Sequence, residues 1–220
     1  MLKAIIFDMD GLMIDSEPYW RQAQLDIFPN YGIQLTLEDC IATTGVRIDN
    51  IVDMYYQQSP WQGVSQQQVA DEICDRVIQL VSEHKPALPG LIPLLEQLTQ
   101  LDIKLAVASS SPMKLINAAL SALELTDTFD AVLSAESLPY GKPHPAVYIN
   151  TAKALNLKPN ECLAVEDSLP GLLAAKSATM KAIVVPEATH YLRDEWAIAD
   201  KKCHSLADIT PQMIAKLLQK

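Results

Sequence analysis

Short apolar runs rich in branched residues recur along the chain: Leu2 to Phe7, Ile103 to Ala108, Ala131 to Ser134, Leu163 to Val165 and Ala182 to Val185. Most lack the strict alternation of a sheet with one wet face, so they predict strands buried on both sides. Helical spacing fills the intervals. Leu91, Leu94, Leu95 and Leu98 make one stripe after Pro89-Gly90. Further helices are predicted after Ser111-Pro112, from about 145 to 155 and from about 169 to 178. Ser111 reads as an N-cap and Pro112 as a first helical residue. Strand and helix in alternation predict an α/β fold built on a doubly wound, mostly parallel sheet.

Residues from about 16 to 83 break this rhythm. They carry helical stripes only: Trp20, Leu25 and Ile27; Ile48, Ile51, Val52 and Tyr55; Val69, Ile73, Val77, Leu80 and Val81. Asp15 to Pro18 and His84 to Pro89 are rich in breakers or polar groups and suit the links. The expected organisation is a Rossmann-like core from 1–15 and 84–220, with 16–83 a helical domain inserted after the first strand.

A chain of 220 residues, 49 % hydrophobic and 20 % charged, can bury such a core. Its net charge of −10 opposes nucleic acid and anionic membranes but not a small phosphorylated metabolite, which feels a local pocket. No run is apolar enough to span a membrane, and the first residues do not read as a signal peptide, so a cytoplasmic monomer is the expectation. Cys40, Cys74, Cys162 and Cys203 form no CxxC pair and read as reduced thiols, Cys162 as core packing.

The strand exits carry the candidate chemistry, because ligands of open parallel sheets bind there. The first strand ends in Asp8-Met9-Asp10-Gly11, either an Asp-Gly turn or a pair of carboxylates with a task. The second ends in Ser109-Ser110-Ser111-Pro112. One of those serines, Ser111 first, reads as the helix cap; Ser109 either caps or holds a phosphate oxygen. Lys142 lies between Gly141 and Pro143 on a stiff loop, either solvated or aimed at an anion. The Leu163 to Val165 strand ends in Glu166-Asp167-Ser168. Acids gathered at one small site need a cation, and hard oxygen ligands suit Mg²⁺. Asp8 could then attack phosphorus without a base, and Asp10 could shuttle the proton.

Together, Asp8-Met9-Asp10-Gly11, Ser109, Lys142-Pro143-His144-Pro145 and Glu166-Asp167 resemble the four motifs of the haloacid dehalogenase superfamily. The helical insert resembles the mobile cap of its β-phosphoglucomutase-like branch. Asp15-Ser16-Glu17-Pro18 and Pro139-Tyr140-Gly141-Lys142 resemble bacterial 2-deoxyglucose-6-phosphate and hexitol-phosphate phosphatases. The resemblance implies a phosphatase of hexose or hexitol phosphates acting through an aspartyl phosphate. Asp8 would be the nucleophile and Asp10 the acid/base. Mg²⁺ would be held by Asp8, the Asp10 main-chain carbonyl and Asp167, with Glu166 acting through water. Ser109, Ser110 and Lys142 would hold the phosphoryl. A sugar phosphomutase is the alternative. Mutase members carry a histidine where Trp20 aligns, which favours hydrolysis here; Trp20 is then core or a stacking wall. Arg47, one residue off the mutases' cap arginine, is either a substrate contact or a surface residue.

Overall fold

The computed structural model describes residues 3–218. Leu2, which the hydrophobic pattern assigns to the first strand, lies outside the described residues, as do 1, 219 and 220 of the expected core. Six parallel strands form one sheet: β1 (Ala4–Phe7), β2 (Lys104–Ser109), β3 (Ala131–Ser134), β4 (Cys162–Glu166), β5 (Lys181–Val184) and β6 (Lys201–Lys202). Their order is β3-β2-β1-β4-β5-β6. The order reverses between β1 and β4, which makes their exits the crevice where such sheets bind ligands. Five strands answer to the apolar runs. β6 has no apolar run, being two lysines on the sheet edge, and was not predicted.

The four central strands β2, β1, β4 and β5 bury both faces, and the alternation of side chains divides the core. Ile5, Phe7, Leu105, Val107, Leu163 and Val165 face one way. They pack with α5 (Leu91–Leu98), α6 (Met113–Ala122) and the inserted helices. Ala4, Ile6, Ala106, Ala108 and Ala164 face the other, against α7 (Ala146–Ala154) and α8 (Leu169–Ser177). Alanines dominate that face, which leaves volume for the fully buried Tyr148 of α7.

Between β1 and α5 stand α1 (Glu17–Ile27), α2 (Leu37–Ala42), α3 (Ile48–Gln58) and α4 (Gln66–His84). The buried face of α1 carries Ala23 and Gln24, followed by Phe28; Trp20 and Ile27 of the expected stripe pack half-buried against the same cluster. Phe28 meets Tyr55 edge-on at 5.1 Å between ring centres, which turns the helix toward α3. Helix α4 starts with a capping box: the Ser65 hydroxyl accepts from Gln68 N, and Gln68 Oε1 accepts from Ser65 N. Its Val69, Ile73, Val77 and Val81 are fully buried, and it packs on α1, α3 and α6. The inserted helices thus share one apolar cluster with the sheet.

Helix α6 departs from expectation at its start. It begins at Met113 with Pro112 as its N-cap, and the Glu136 carboxylate, from the loop after β3, accepts from Met113 N. Ser111 is therefore not the cap; its hydroxyl points elsewhere, as described below. Among the described residues no helix is long and apolar enough to cross a membrane. All four cysteines are free and buried, and Cys162 opens β4.

Candidate active site

In register, Phe7 of β1 lies beside Val107 of β2 and Val165 of β4. The next residues therefore leave the sheet side by side. Asp8 N donates to Val165 O at 3.0 Å, which keeps Asp8 in line with the ladder. Carboxylate oxygens of Asp8, Glu166 and Asp167 all lie within 4.8 Å of one another. Two glycines make that approach possible. Gly11 has φ +77°, and a Cβ there would stand 2.2 Å from Asp167 Oδ2. A Cβ on Gly171 would stand 2.0 Å from Glu166 Oε1.

Lys142 holds the cluster together. Its Nζ donates to Asp8 Oδ1 and, at 2.6 Å, to Glu166 Oε1. The loop between Gly141 and Pro143 aims the ammonium inward. Glu166 is fully buried and also accepts from the Tyr148 hydroxyl at Oε1 and from Ser168 Oγ at Oε2, 3.3 Å away. A buried carboxylate with three donors is well satisfied. Ser168 in turn caps α8, accepting from Gly171 N at 3.2 Å. Asp167 differs: its Oδ1 is buried with no hydrogen-bond partner.

Electrostatics follow from this packing. Burial pushes the Asp8 carboxyl up to about 7, against the pull of Lys142 and with the help of Glu166 and Asp10. Burial, then Asp8 and Glu166, raise Asp167 well above the carboxylate range. Burial works against the Lys142 ammonium, but Asp8 and Glu166 more than offset it and raise its pKa. Burial and Glu166 raise Tyr148, so its phenol stays a donor. Fully ionised, the three carboxylates would outnumber the one ammonium, and without a cation the raised pKa values of Asp8 and Asp167 limit that excess of negative charge. That excess and the orphaned Asp167 oxygen fit a hard dication with oxygen ligands.

Asp10 stands apart from that trio. Its Oδ1 accepts from Ser16 Oγ at 2.5 Å; its Oδ2 accepts from Ser111 Oγ at 2.7 Å and Ser109 Oγ at 3.3 Å. Here lies the partner of Ser111. Ser109 also accepts from Ser111 N at 3.0 Å, so its buried hydroxyl faces Asp10. Ser110 is half-buried, with Oγ 3.7 Å from the point where a Gly141 Cβ would sit. Arg47, at the start of α3, forms a bidentate pair with Asp49: Nε to Oδ1 at 3.1 Å and Nη2 to Oδ2 at 2.7 Å. Trp20 is half-buried against the larger apolar cluster. Among the described residues no side-chain hydrogen bond joins Arg47 or Trp20 to Asp8, Asp10, Glu166 or Asp167.

Three contributors escaped the sequence reading: Tyr148, Ser16 and Ser111. Tyr148 follows the Lys142-to-Pro145 motif by three residues, one helical turn, and that spacing is the signal it offered. Ser16 had been read as linker. Its return to Asp10 follows from a tight turn in which Gly11 N donates to Ile14 O at 2.9 Å.

Carboxylates gathered beside a buried lysine at a topological switch point mark a candidate catalytic centre of an α/β enzyme. The chain belongs to the haloacid dehalogenase-like hydrolase family, whose sequence profile matches residues 5–185. It is 41 % identical over 208 residues to hexitol phosphatase B of Escherichia coli (strain K12), covering 94 % of each chain. It is 28 % identical over 218 residues to a phosphorylated carbohydrates phosphatase of Thermotoga maritima, covering 99 % of each. In three dimensions it resembles the crystal structure of β-phosphoglucomutase from Clostridium difficile, with a TM-score of 0.84 at 25 % identity, over 100 % of this chain and 98 % of that one.

The fit between Gly171 and Glu166 is testable. Gly171→Ala should lower unfolding free energy in urea by about 1–3 kcal/mol, the usual effect of overpacking. In a Glu166→Ala background the same change should be nearly silent, because the obstructed group is gone. An undiminished penalty in that background would show that the carboxylate is not the obstacle.

Proposed function

We propose that this chain is a magnesium-dependent phosphatase of small sugar phosphates, hexose or hexitol phosphates such as 2-deoxyglucose 6-phosphate. The observation that carries the reading is the meeting of Asp8, Glu166 and Asp167 around Lys142 at the sheet's switch point. Similarity to hexitol phosphatase B and to the Thermotoga enzyme supports the substrate class. The substrate is a small phosphorylated metabolite met in the cytoplasm by a monomer.

Asp8 and Asp167, with the main-chain carbonyl of Asp10, would hold Mg²⁺, and Glu166 would reach it through water. Bound there, the ion supplies positive charge against the carboxylates and the transferring phosphoryl. The remaining work falls to side chains. An Asp8 oxygen attacks phosphorus as the phosphorus–oxygen ester bond breaks, forming an aspartyl phosphate. Asp10 gives a proton to the departing sugar oxygen. It then takes one from the water that attacks phosphorus and frees Asp8. Lys142 orients the Asp8 carboxylate and offsets charge on the phosphoryl, whose oxygens Ser109 and Ser110 also receive. Tyr148 and Ser168 fix Glu166 so that Lys142 keeps its aim. The helical layer over 16–83 serves as a cap that excludes bulk water, with Trp20 and Arg47 on its side of the site.

Asp8→Asn should reduce phosphate release by about 10³-fold or more, since the nucleophilic oxygen is lost. Asp10→Asn should let phosphoenzyme accumulate by slowing its hydrolysis. A phosphorus NMR time course on glucose 1-phosphate distinguishes the phosphomutase alternative: glucose 6-phosphate forming faster than free phosphate would overturn hydrolysis.

Metal binding has a readout apart from turnover. Asp8 holds its proton more tightly folded than unfolded, so the metal-free protein is favoured at low pH. That stability is lost as pH rises from about 4 through about 7. Mg²⁺ added to EDTA-treated protein should therefore raise Tm more at pH 8 than at pH 5. Equal increments at both pH values would argue against an ion on Asp8.

A further inference from the structure

Beside the Lys142 loop lies a groove of about 820 Å³, bounded by Arg47, Asp49 and Asn50 on one side and by Tyr140, Gly141 and His144 on the other. Gly141 ties the two sides: Arg47 Cδ stands 3.4 Å from where its Cβ would be. Ser110 Oγ, at the exit of β2, lies 3.7 Å from the same point, and Lys142, next in sequence, holds Asp8; on the phosphatase reading, the end of a substrate away from Asp8 would reach this groove.

The guanidinium here is already occupied. Asp49 takes it bidentately, through both nitrogen donors named above. Such a pair is close to neutral toward the groove and leaves three guanidinium N–H bonds and the carboxylate lone pairs for other partners. The other lining residues include no lysine, arginine or carboxylate. His144 Nδ1 accepts from Ala146 N at 3.3 Å, which leaves Nε2 to donate. Asn50 and Tyr140 each offer a donor and an acceptor. This mixture suits hydroxyl groups, each of which gives one hydrogen bond and accepts others. It does not suit a second phosphate, whose charge would meet the Asp49 carboxylate.

Resting on the phosphatase reading, the geometry points to Asp49 as the residue that sets charge specificity. By neutralising Arg47 it admits the uncharged polyhydroxyl tail of a monophosphate and turns away a bisphosphate. Specificity here comes from repulsion as well as from contact.

The test compares glucitol 6-phosphate with glucitol 1,6-bisphosphate. Wild type should prefer the monophosphate in kcat/KM. Asp49→Asn keeps the shape and removes the charge, and should shrink that preference by roughly 10-fold, mainly through a lower KM for the bisphosphate. Adding Arg47→Ala to Asp49→Asn should cancel the gain, because the freed guanidinium is what takes the second phosphate. A preference unchanged in Asp49→Asn, with native circular dichroism, would overturn the inference; so would a gain that survives the double substitution. Calorimetric binding of both esters to Asp8→Asn protein, with and without Asp49→Asn, reads the same preference without turnover. If wild type releases phosphate from neither ester, the phosphatase reading fails while this binding comparison still decides the role of Asp49.

Discussion

One buried ammonium organises this structure. Lys142 lies between Asp8 and Glu166, both of which would repel each other and Asp167 without it. Desolvated charges are tolerable only when paired and hydrogen-bonded, and removing one partner leaves the others exposed to that penalty. The Lys142 ion pairs, Tyr148, Ser168 and Gly171 therefore form one unit. Tyr148 fixes Glu166, Glu166 fixes Lys142, and Lys142 fixes Asp8. The alanine-rich face of the sheet belongs to the same unit, since it is what admits the Tyr148 ring.

The two aspartates of the first strand exit are placed in different surroundings by two residues of chain. Asp8 continues the ladder and joins the buried acids. Asp10, beyond the turn, is ringed by the hydroxyls of Ser16, Ser109 and Ser111. The roles proposed for them, attack on phosphorus by Asp8 and proton transfer by Asp10, call for such different settings. Two serines of the run at the exit of β2, Ser109 and Ser111, are thus turned toward Asp10.

Much of this was legible before any coordinates. Strands buried on both faces leave uninterrupted apolar runs, and five of the six strands follow them. The exits of those strands named Asp8, Asp10, Lys142, Glu166 and Asp167, because a parallel sheet brings its strand ends to one side. Other features left weaker traces. β6 is paired by backbone alone, and backbone pairing has no residue signature in two lysines. Ser111 looked like a cap because serine before proline usually is one, yet a nearby carboxylate is a stronger acceptor than the helix end is a donor. Ser65 and Gln68 stand at the three-residue spacing of a capping box, and only the structure shows both of its bonds. Tyr148 falls within the helix predicted from about 145, and only the assembled sheet reveals what its hydroxyl touches.

The continuous apolar seam from β1 through α6 into α4 also limits how the helical layer can rearrange. Separating α4 from α6 would wet side chains such as Ile73 and Ile116, each a loss of about 1.5–3 kcal/mol. Thermal energy does not supply several such losses at once. The α4–α6 seam is therefore the costliest place at which to part the helical layer from the sheet.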